Sequence, residues 1–572
     1  MAKLRAGKAL AKVLKNEGVK YVFTVAVSNY LPFYGGCIDE GIEIINVRHE
    51  QAAAYAADAW GRITRTPGVC LGIGGCGTTN MTTALVGAYY ECSPLVALSP
   101  VGESGEPLSR EGESRQFNAS RMFEPYVKWC ARCTDPSLLA RYGQWAFRHA
   151  TTGRMGPTIL EMPTETFYEY CDWVDVKPEA YRATNRLHID EQLAKRAVAM
   201  LLEAKRPLII IGNGVHWSNA YPELRDFARL MNLPLVSKAG LAQGYFPEDD
   251  PLFAGVTISF NRPNCPAQIT PKADVILVIG ARAEKLTAFP NLSAEARIIQ
   301  IDLEPSEIGR IGNVELGITG DAKTVLSQLI KASKELASIP SESNWLRFVE
   351  EEKQKYEDGI RELGYCKSKP IHPARLVREI RDFLDKGAYV IIDGADIGSM
   401  GRTYLRAHFP GHFMIAHGNW GNMGPGVAFA LATKLARGDS QVLLLTSDGS
   451  FGFNAMELET ASRYGIKFVC VVSNNLGWGA EIGPALRTAG QVYTSKMSVT
   501  LPEATRYDKL AEALGCYGEL IADPEEIKPA LMRAFDSELP ALLDIRMSTE
   551  DWWPIRSKMA IPMEEYLTKT ST

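Results

Sequence analysis

The chain has 572 residues, room for three or four domains at the usual ~100–200 residues each. It is 46% hydrophobic and 23% charged, as a globular protein is, and its formal net charge of −5 gives no electrostatic reason to expect nucleic acid or an anionic membrane as partner. The cysteines, 11 in number and scattered, fit reduced thiols in a cytoplasmic protein better than a disulfide framework, and no apolar run reaches the ~18 residues that span a bilayer.

The first stretch, MAKLRAGKALAKVLKNEG, is basic but lacks a continuous apolar core, so it reads as an amphipathic helix and not as a signal peptide. A first block, 1–170, alternates helical stretches with the short apolar strands IEIINV, VCLGIG and PLVALSP. Its single CxxC, Cys130 to Cys133, has no second pair; two structural cysteines fit it better than a zinc or redox site. A polar, Pro-containing stretch from Cys171 to His188 reads as a linker. The second block, 189–340, carries PLIIIGNG, DVILVIGAR and RIIQIDLEP between helical segments such as EQLAKRAVAMLLEA, the pattern of a parallel sheet with crossover helices. Each strand ends in one isolated Gly-containing turn, which supports a dinucleotide site only weakly. After a charged helical linker, RFVEEEKQKYEDGIREL, the third block (370–548) holds the strands AYVIIDG, VLLLTSD, KFVCVVSNN and ALLDIRM. A tail, 549–572, closes the chain. The expected fold is α/β: three doubly wound parallel-sheet domains plus that tail.

One stretch of the third block carries the most chemistry: TSDGSFGFNAMELETASRYGIKFVCVVSNNLGWG. The strand VLLLT ends at Ser447-Asp448-Gly449-Ser450; a helix of about three turns is predicted, with Met456, Leu458, Ala461 and Tyr464 near helical spacing; then FVCVVS ends at Asn474-Asn475. Parallel strands need such a crossover, so Asp448 and Asn475 should lie side by side at the carboxyl ends of adjacent strands, the edge where open α/β sheets bind ligands. Taken alone, Asp-Gly is a turn and Asn-Asn a polar loop. Together they suit Mg²⁺, which takes about six hard oxygen ligands: Asp448 the anion, Asn475 an amide oxygen, Gly477 a backbone carbonyl, with phosphate oxygens and water completing the shell. Gly449 would let the backbone approach a phosphate, with Ser450 beside it at a helix N-terminus.

This segment resembles the diphosphate-binding signature of thiamine-diphosphate (ThDP) enzymes, with Ser447 in place of the usual first glycine, and the resemblance runs over nearly the whole chain in the order pyrimidine-binding, central and diphosphate-binding domain. It implies ThDP and Mg²⁺ as cofactors, with ADP or FAD as candidates for the central domain. It also implies an activating glutamate, which NVRHEQAAAYAADAWGRITRTPG supplies as Glu50. A buried carboxyl with a raised pKa can share a proton with the aminopyrimidine, shift it toward its imino form and so activate the thiazolium carbon. The plain alternative is a surface glutamate of an Ala-rich helix. The resemblance further implies cofactor contacts at Gly421, Asn422 and Met423 in HGNWGNMGPGVAFALA, with Met423 as the wedge that bends the cofactor; without it, a Met before an apolar run is core. Ala395, Asp396 and Ile397 in DGADIGS look like the other wall of the diphosphate pocket, and GGCGTTN, ending in Asn80, is similar to the family's GPGATN with Cys76 in place of proline.

Acetolactate synthases, benzaldehyde lyase, oxalyl-CoA decarboxylase and 2-hydroxyacyl-CoA lyases are the relatives implied. Glu481 stands six residues after the second Asn, where bacterial 2-hydroxyacyl-CoA lyases carry an active-site glutamate, and a lyase needs a group that takes a proton from a hydroxyl. Its plain reading is a helix N-terminal glutamate favoured by the macrodipole. His417 matches a benzaldehyde lyase position, Asn29 stands where that enzyme has a histidine, and Gln116 is a further pocket candidate. The expectation is a reversible 2-hydroxyacyl-CoA lyase yielding formyl-CoA and an aldehyde or ketone. The alternatives are an acetolactate-synthase-like carboligase of free 2-oxoacids and a catalytically silent ThDP-binding regulatory subunit. The partners expected are small-molecule substrates and copies of the same chain, as a homodimer or homotetramer, with neither nucleic acid nor membrane. The tail, with Trp552, Trp553, Arg556 and Lys558, reads equally as a lid over the site, an exposed tail or a dimer contact.

Overall fold

The computed structural model describes residues 2–102, 118–238, 241, 243–257, 264–282, 292–310, 314–336, 343–482 and 498–548. Gln116 and the tail residues from 549 onward lie outside the described residues.

The chain opens with β1 (Ala2–Arg5) and continues through β2 (Tyr21–Thr24), β3 (Glu43–Asn46), β4 (Gly68–Leu71), β5 (Leu95–Val101), β6 (Trp129–Arg132), β7 (Pro157–Pro163) and β8 (Tyr170–Trp173). β2 to β7 form a parallel sheet in the order β3-β2-β4-β5-β7-β6. β5 and β7 are buried at all seven positions, because helices cover both faces of a parallel sheet. Two sequence expectations are corrected here. The opening helix, Ala6–Asn16, is preceded by β1, and the stretch expected to be a linker begins as β8, antiparallel to β1 with Leu4 opposite Cys171. The extended residues Lys3 to Arg5 and Tyr170 to Trp173 were short enough to pass for flanking coil, and only their pairing makes them strands.

β9 (Pro207–Ile211), β10 (Leu235–Ser237), β11 (Phe253–Val256), β12 (Val275–Ile279), β13 (Arg297–Asp302) and β14 (Val314–Thr319) form the second parallel sheet, ordered β11-β10-β9-β12-β13-β14. β15 (Tyr389–Asp393), β16 (Phe413–Ile415), β17 (Val442–Ser447), β18 (Val469–Asn474), β19 (Tyr517–Ile521) and β20 (Ala541–Arg546) form the third, ordered β16-β15-β17-β18-β20-β19. The expected α/β class with three doubly wound parallel sheets is therefore what the chain adopts, with β1 and β8 as an added two-stranded sheet. In each six-stranded sheet the order reverses beside the first strand of the block, which opens a crevice between β2 and β4, β9 and β12, and β15 and β17.

By compactness the chain divides into two units. One joins Met1–Asn185 with Ala416–Asp439 and Phe453–Lys467; the other takes Arg186–Ile415, Ser440–Gly452 and Phe468–Thr572. In the first unit the helix Gly426–Arg437 packs on the helix Glu50–Thr64: the Arg62 guanidinium lies 4.9 Å from the Phe429 ring centroid and pairs with Asp58, both side chains buried. All the cysteines among the described residues are free thiols; Cys133 is buried and Cys130 half-buried. Among the described residues no helix is long and apolar enough to cross a membrane.

Candidate active site

Within the second unit, β17 and β18 pair in parallel with Ser447 opposite Ser473, so Asp448 and Asn475 emerge one residue and two residues further along, at the carboxyl ends of adjacent strands. Both are buried, at 1% and 5% exposure. Asp448 Oδ1 accepts from the Gly449 N–H at 2.8 Å and Oδ2 from the Gly477 N–H at 3.0 Å. Burial nevertheless pushes its carboxyl up to about 6, against those backbone N–H groups, with Asp544 adding to the rise. A carboxylate held in a dry place at this cost is one that a nearby cation would restore to its charged form. Asn475 Oδ1 is buried with no hydrogen-bond partner among the described residues, which buried amide oxygens rarely are. A Cβ at Gly479 would lie 2.3 Å from Asn475 Nδ2 and 3.1 Å from Asp396 Oδ2, so Asp396, from the turn after β15, stands at the same edge. Among the described residues no three His, Cys, Asp or Glu side chains converge on a metal position. The donor set is one carboxylate, one orphaned amide oxygen and backbone carbonyls, which fits a hard cation that draws its other oxygens from a bound anion.

The two asparagines have separate work. Asn474 Nδ2 donates to the buried Asp544 Oδ1 at 2.8 Å and its Oδ1 accepts from the Leu476 N–H at 3.1 Å, so it ties β18 to β20. Ser447, where the signature has glycine, turns its Oγ toward Gly394, whose Cβ would come within 2.6 Å of it, and accepts from the Ser450 N–H at 3.3 Å. Ser450 is fully buried. Gly449 has a further reason to be glycine: a Cβ would lie 2.9 Å from the Trp478 ring. The single three-turn helix expected after Asp448 is instead two short ones, Asp448–Asn454 and Glu457–Arg463, and Met456 between them is 45% exposed and not core. Ala455 and Met456 form the turn between the two helices, and Asn454, the last residue of the first helix, donates its side-chain amide to Gln51 and the Gly424 carbonyl, each at 3.0 Å.

In the first unit Glu50 begins its helix just after the N-cap His49, whose Nδ1 accepts from the Gln51 N–H at 3.1 Å. Glu50 is buried, 7% exposed; its Oε2 accepts from Asn80 Nδ2 at 3.0 Å, and its Oε1 faces Gly77, where a Cβ would sit 2.7 Å away. The GGCGTTN segment thus forms the other wall around Glu50, and Cys76, in place of proline, is exposed at the start of the short helix Cys76–Asn80. The turn from His417 to Asn422 is closed by the His417 carbonyl, which accepts from the N–H groups of Gly421 and Asn422 at 3.0 Å. Asn422 is buried and neither of its amide atoms has a hydrogen-bond partner among the described residues; a Cβ at Gly87 would lie 2.3 Å from its Nδ2. Met423 and His417 are half-buried. Ala395, Gly421, Asn29 and Glu481 are exposed, whereas Ile397 is buried and Asp396 half-buried. Glu481 sits one turn past Gly477, its N–H donating to the Trp478 carbonyl at 2.8 Å.

Two buried glutamates that sequence reasoning passed over shape these turns. Glu457, 1% exposed, accepts from the Arg48 N–H at 3.0 Å and from Thr460 Oγ1 at 2.7 Å, two residues before Glu50. Glu91, fully buried, accepts from the Asn419 N–H. Each lies in a helix, where a glutamate gives no sequence signal of burial.

Family models match the chain in three places: the thiamine pyrophosphate enzyme N-terminal TPP binding domain over 4–118, the central domain over 194–329 and the C-terminal TPP binding domain over 396–545. A probable acetolactate synthase large subunit of Methanocaldococcus jannaschii is 31% identical over 567 residues, 96% of this chain and 93% of that one. 2-Hydroxyacyl-CoA lyase 1 of Mus musculus is 28% identical over 574 residues (96% and 97%), and a sulfoacetaldehyde acetyltransferase of Alcaligenes xylosoxydans is 27% identical over 563 (94% and 91%). With all three domain models matched in order and relatives aligned from end to end, the chain belongs to the thiamine pyrophosphate enzymes.

Proposed function

We propose that this protein is a ThDP- and Mg²⁺-dependent carbon–carbon lyase and carboligase that cleaves 2-hydroxyacyl-CoA reversibly to formyl-CoA and an aldehyde or ketone. The observation that carries the cofactor reading is the buried Asp448 carboxylate beside the unpartnered Asn475 amide oxygen at the ends of paired strands. These two and the Gly477 carbonyl would hold the cation, with Gly449, Ser450, Ala395, Asp396 and Ile397 around the diphosphate. When bound, ThDP supplies a nucleophilic thiazolium carbon and a sink for the electrons of the cleaved bond. Glu50 would face the aminopyrimidine: Asn80 occupies Oε2, which would leave Oε1 for a hydrogen bond to the cofactor. The unpartnered amide of Asn422 supplies a donor and an acceptor for the cofactor, with Gly421 and Met423 beside it.

Support for the acyl-CoA substrate comes from the family resemblance at Glu481, which would take a proton from the substrate hydroxyl, and at His417, which would hydrogen-bond the substrate oxygen. A second reading has a specific observation behind it. The acetolactate synthase relatives are, at 30–31% identity, at least as similar as the lyases at 26–28%, which supports a carboligase of free 2-oxoacids equally well. Incubation with a 2-hydroxyacyl-CoA and, separately, with pyruvate, followed by product identification, decides between them: formyl-CoA release selects the lyase, acetolactate the synthase. Absence of turnover on any acyl-CoA rejects the lyase. Glu50→Gln is expected to lower the rate by about 10²–10⁴-fold with folding and Mg²⁺ binding intact; undiminished activity would sink this role for Glu50. The active species is proposed to be a homodimer or homotetramer. A fully active monomer in sedimentation would refute that.

A further inference from the structure

The second unit contains a cavity of about 230 Å³ lined by none of the residues assigned above. Its walls are β11, the helix Cys265–Ile269, the long helix Asn344–Gly364, the helix Pro373–Phe383 and the last turn of the helix Asp396–Tyr404. Asp396, at the Asp448 edge, and Tyr404, in the cavity wall, stand eight residues apart on that last helix, about 12 Å along its axis at 1.5 Å per residue. It is also distinct from the crevice between β9 and β12, where Gly212 and Gly214 press against Gly280.

Six cations line it, Lys353, Arg361, Arg378, Arg381, Arg402 and Arg406, against two carboxylates, Glu248 and Glu357. Part of this charge is neutralised locally. Arg406 pairs with Glu357, Arg378 with Glu379 and Asp382, and Arg361 with Asp358. Arg381 shares Asp382 with Arg378, so one carboxylate serves two guanidinium groups. Lys353 hydrogen-bonds the Asp250 carbonyl at 3.4 Å, and burial, then the nearby Arg406, hold its ammonium below the usual lysine range. Arg402, 9% exposed, donates to the Gly398 carbonyl and to Ser399 Oγ, each at 3.3 Å. The lining thus holds more cationic than acidic side chains, at depths where taking charge out of water is costly.

A second observation points the same way. Glu248 is 2% exposed and lines the cavity; its Oε2 accepts from the Ala407 N–H at 2.9 Å, while its Oε1 is buried with no hydrogen-bond partner among the described residues. Burial pushes its carboxyl up to about 7, so near neutrality it is available as a donor. Tyr356, Tyr365 and Tyr404 supply the rest of the wall. The volume lies below the ~300–1,000 Å³ of sites for drug-sized molecules, which selects a compact ligand.

We propose that this cavity binds a small, multiply charged oxyanion, a phosphate monoester or a polycarboxylate, through Lys353, Arg381 and Arg402, with Glu248 Oε1 as an additional contact. Guanidinium forks match both kinds of anion. The test is calorimetric titration of the protein already saturated with ThDP and Mg²⁺, so that the probe does not enter the diphosphate site, with glycerol 3-phosphate in one arm and citrate in the other. At least one probe is expected to bind one per chain, and Lys353→Met with Arg381→Met is expected to weaken it tenfold or more with the melting temperature unchanged. The arm that binds names the source. Should that double variant fail to fold, hydrogen exchange of the wild-type protein decides: the bound probe should protect helices Asn344–Gly364 and Pro373–Phe383. Binding by neither probe, equal binding by the folded variant, or protection confined to other segments overturns the proposal.

Discussion

Asn474 and Asn475 are adjacent and chemically identical, yet their surroundings give them different consequences. Asn474 has its amide committed to Asp544 and to the Leu476 N–H, whereas Asn475 Oδ1 is left unpartnered. Asn474→Ala therefore strips the buried Asp544 carboxylate of a donor and should cost about 1–3 kcal/mol of stability, read as a lower urea midpoint. Asn475→Ala removes no hydrogen bond from its Oδ1 and should leave the midpoint nearly unchanged, while weakening Mg²⁺ binding by about 10–100-fold in a metal titration. If both substitutions weakened metal binding equally without touching stability, this division would be wrong. Ser447 carries the same lesson on a smaller scale. The extra hydroxyl is accommodated because Gly394, at φ 108, has no Cβ to meet it. Gly394→Ala should be destabilising on both counts, backbone and clash, by more than the ~1 kcal/mol of an ordinary Gly→Ala change in the unfavourable direction.

The turn that presents Glu50 is held as an element, by the segment that contains Glu457. Tyr464 Oη accepts from the Asn46 N–H at 2.9 Å and donates to the Ile44 carbonyl at 3.1 Å; Arg463 donates to the Asn46 carbonyl at 2.7 Å; Asn454 reaches Gln51. Glu457 closes the set on Arg48, and burial, only partly offset by Thr460 and the N–H groups of Arg48 and His49, pushes its carboxyl up to about 7 from an ordinary 4.5. The folded state thus binds this proton more tightly than the unfolded chain does. Its contribution to stability is complete below about pH 4.5 and is lost as the pH rises through about 7, a change of at most about 3 kcal/mol. Urea midpoints measured at about pH 5 and about pH 8 should fall more steeply for the wild type than for Glu457→Gln, which has no proton to lose. Parallel pH dependences in the two proteins would show that Glu457 titrates normally.

Across the whole molecule, the first and third sheets share one strand order and the second has another, and in the third the reversal of strand order falls between β15 and β17, the strands that lead to Asp396 and Asp448. A ligand that binds only the folded chain stabilises it by mass action, about 2.7 kcal/mol at a hundredfold excess over its dissociation constant. Adding ThDP with Mg²⁺ should therefore raise the melting temperature by several degrees, and a chelator should reverse the gain. In Asp448→Asn both effects should vanish. A wild-type melting temperature indifferent to cofactor and chelator would remove the basis for placing the cation at Asp448.

Many strand positions were legible in the primary structure because apolar runs too short for a helix and bounded by Gly, Asp or Asn fit buried parallel strands, as VLLLTS and VCVVSN are, whereas the strands β16 and β19 carry no such run. The spacing of Asp448 and Asn475 was legible for the same reason: one crossover fixes which strand ends are neighbours. The broken helix after Asp448, the β1–β8 pair, the capture of 416–439 and 453–467 by the first compact unit, and the roles of Glu91 and Glu457 were not legible. Local pattern records which face of an element is apolar, and so it fixes elements and their order along the chain. Whether a given polar group ends up buried, paired or orphaned depends on residues hundreds of positions away, so only tertiary packing decided that Asn475 keeps a free acceptor while its neighbour does not.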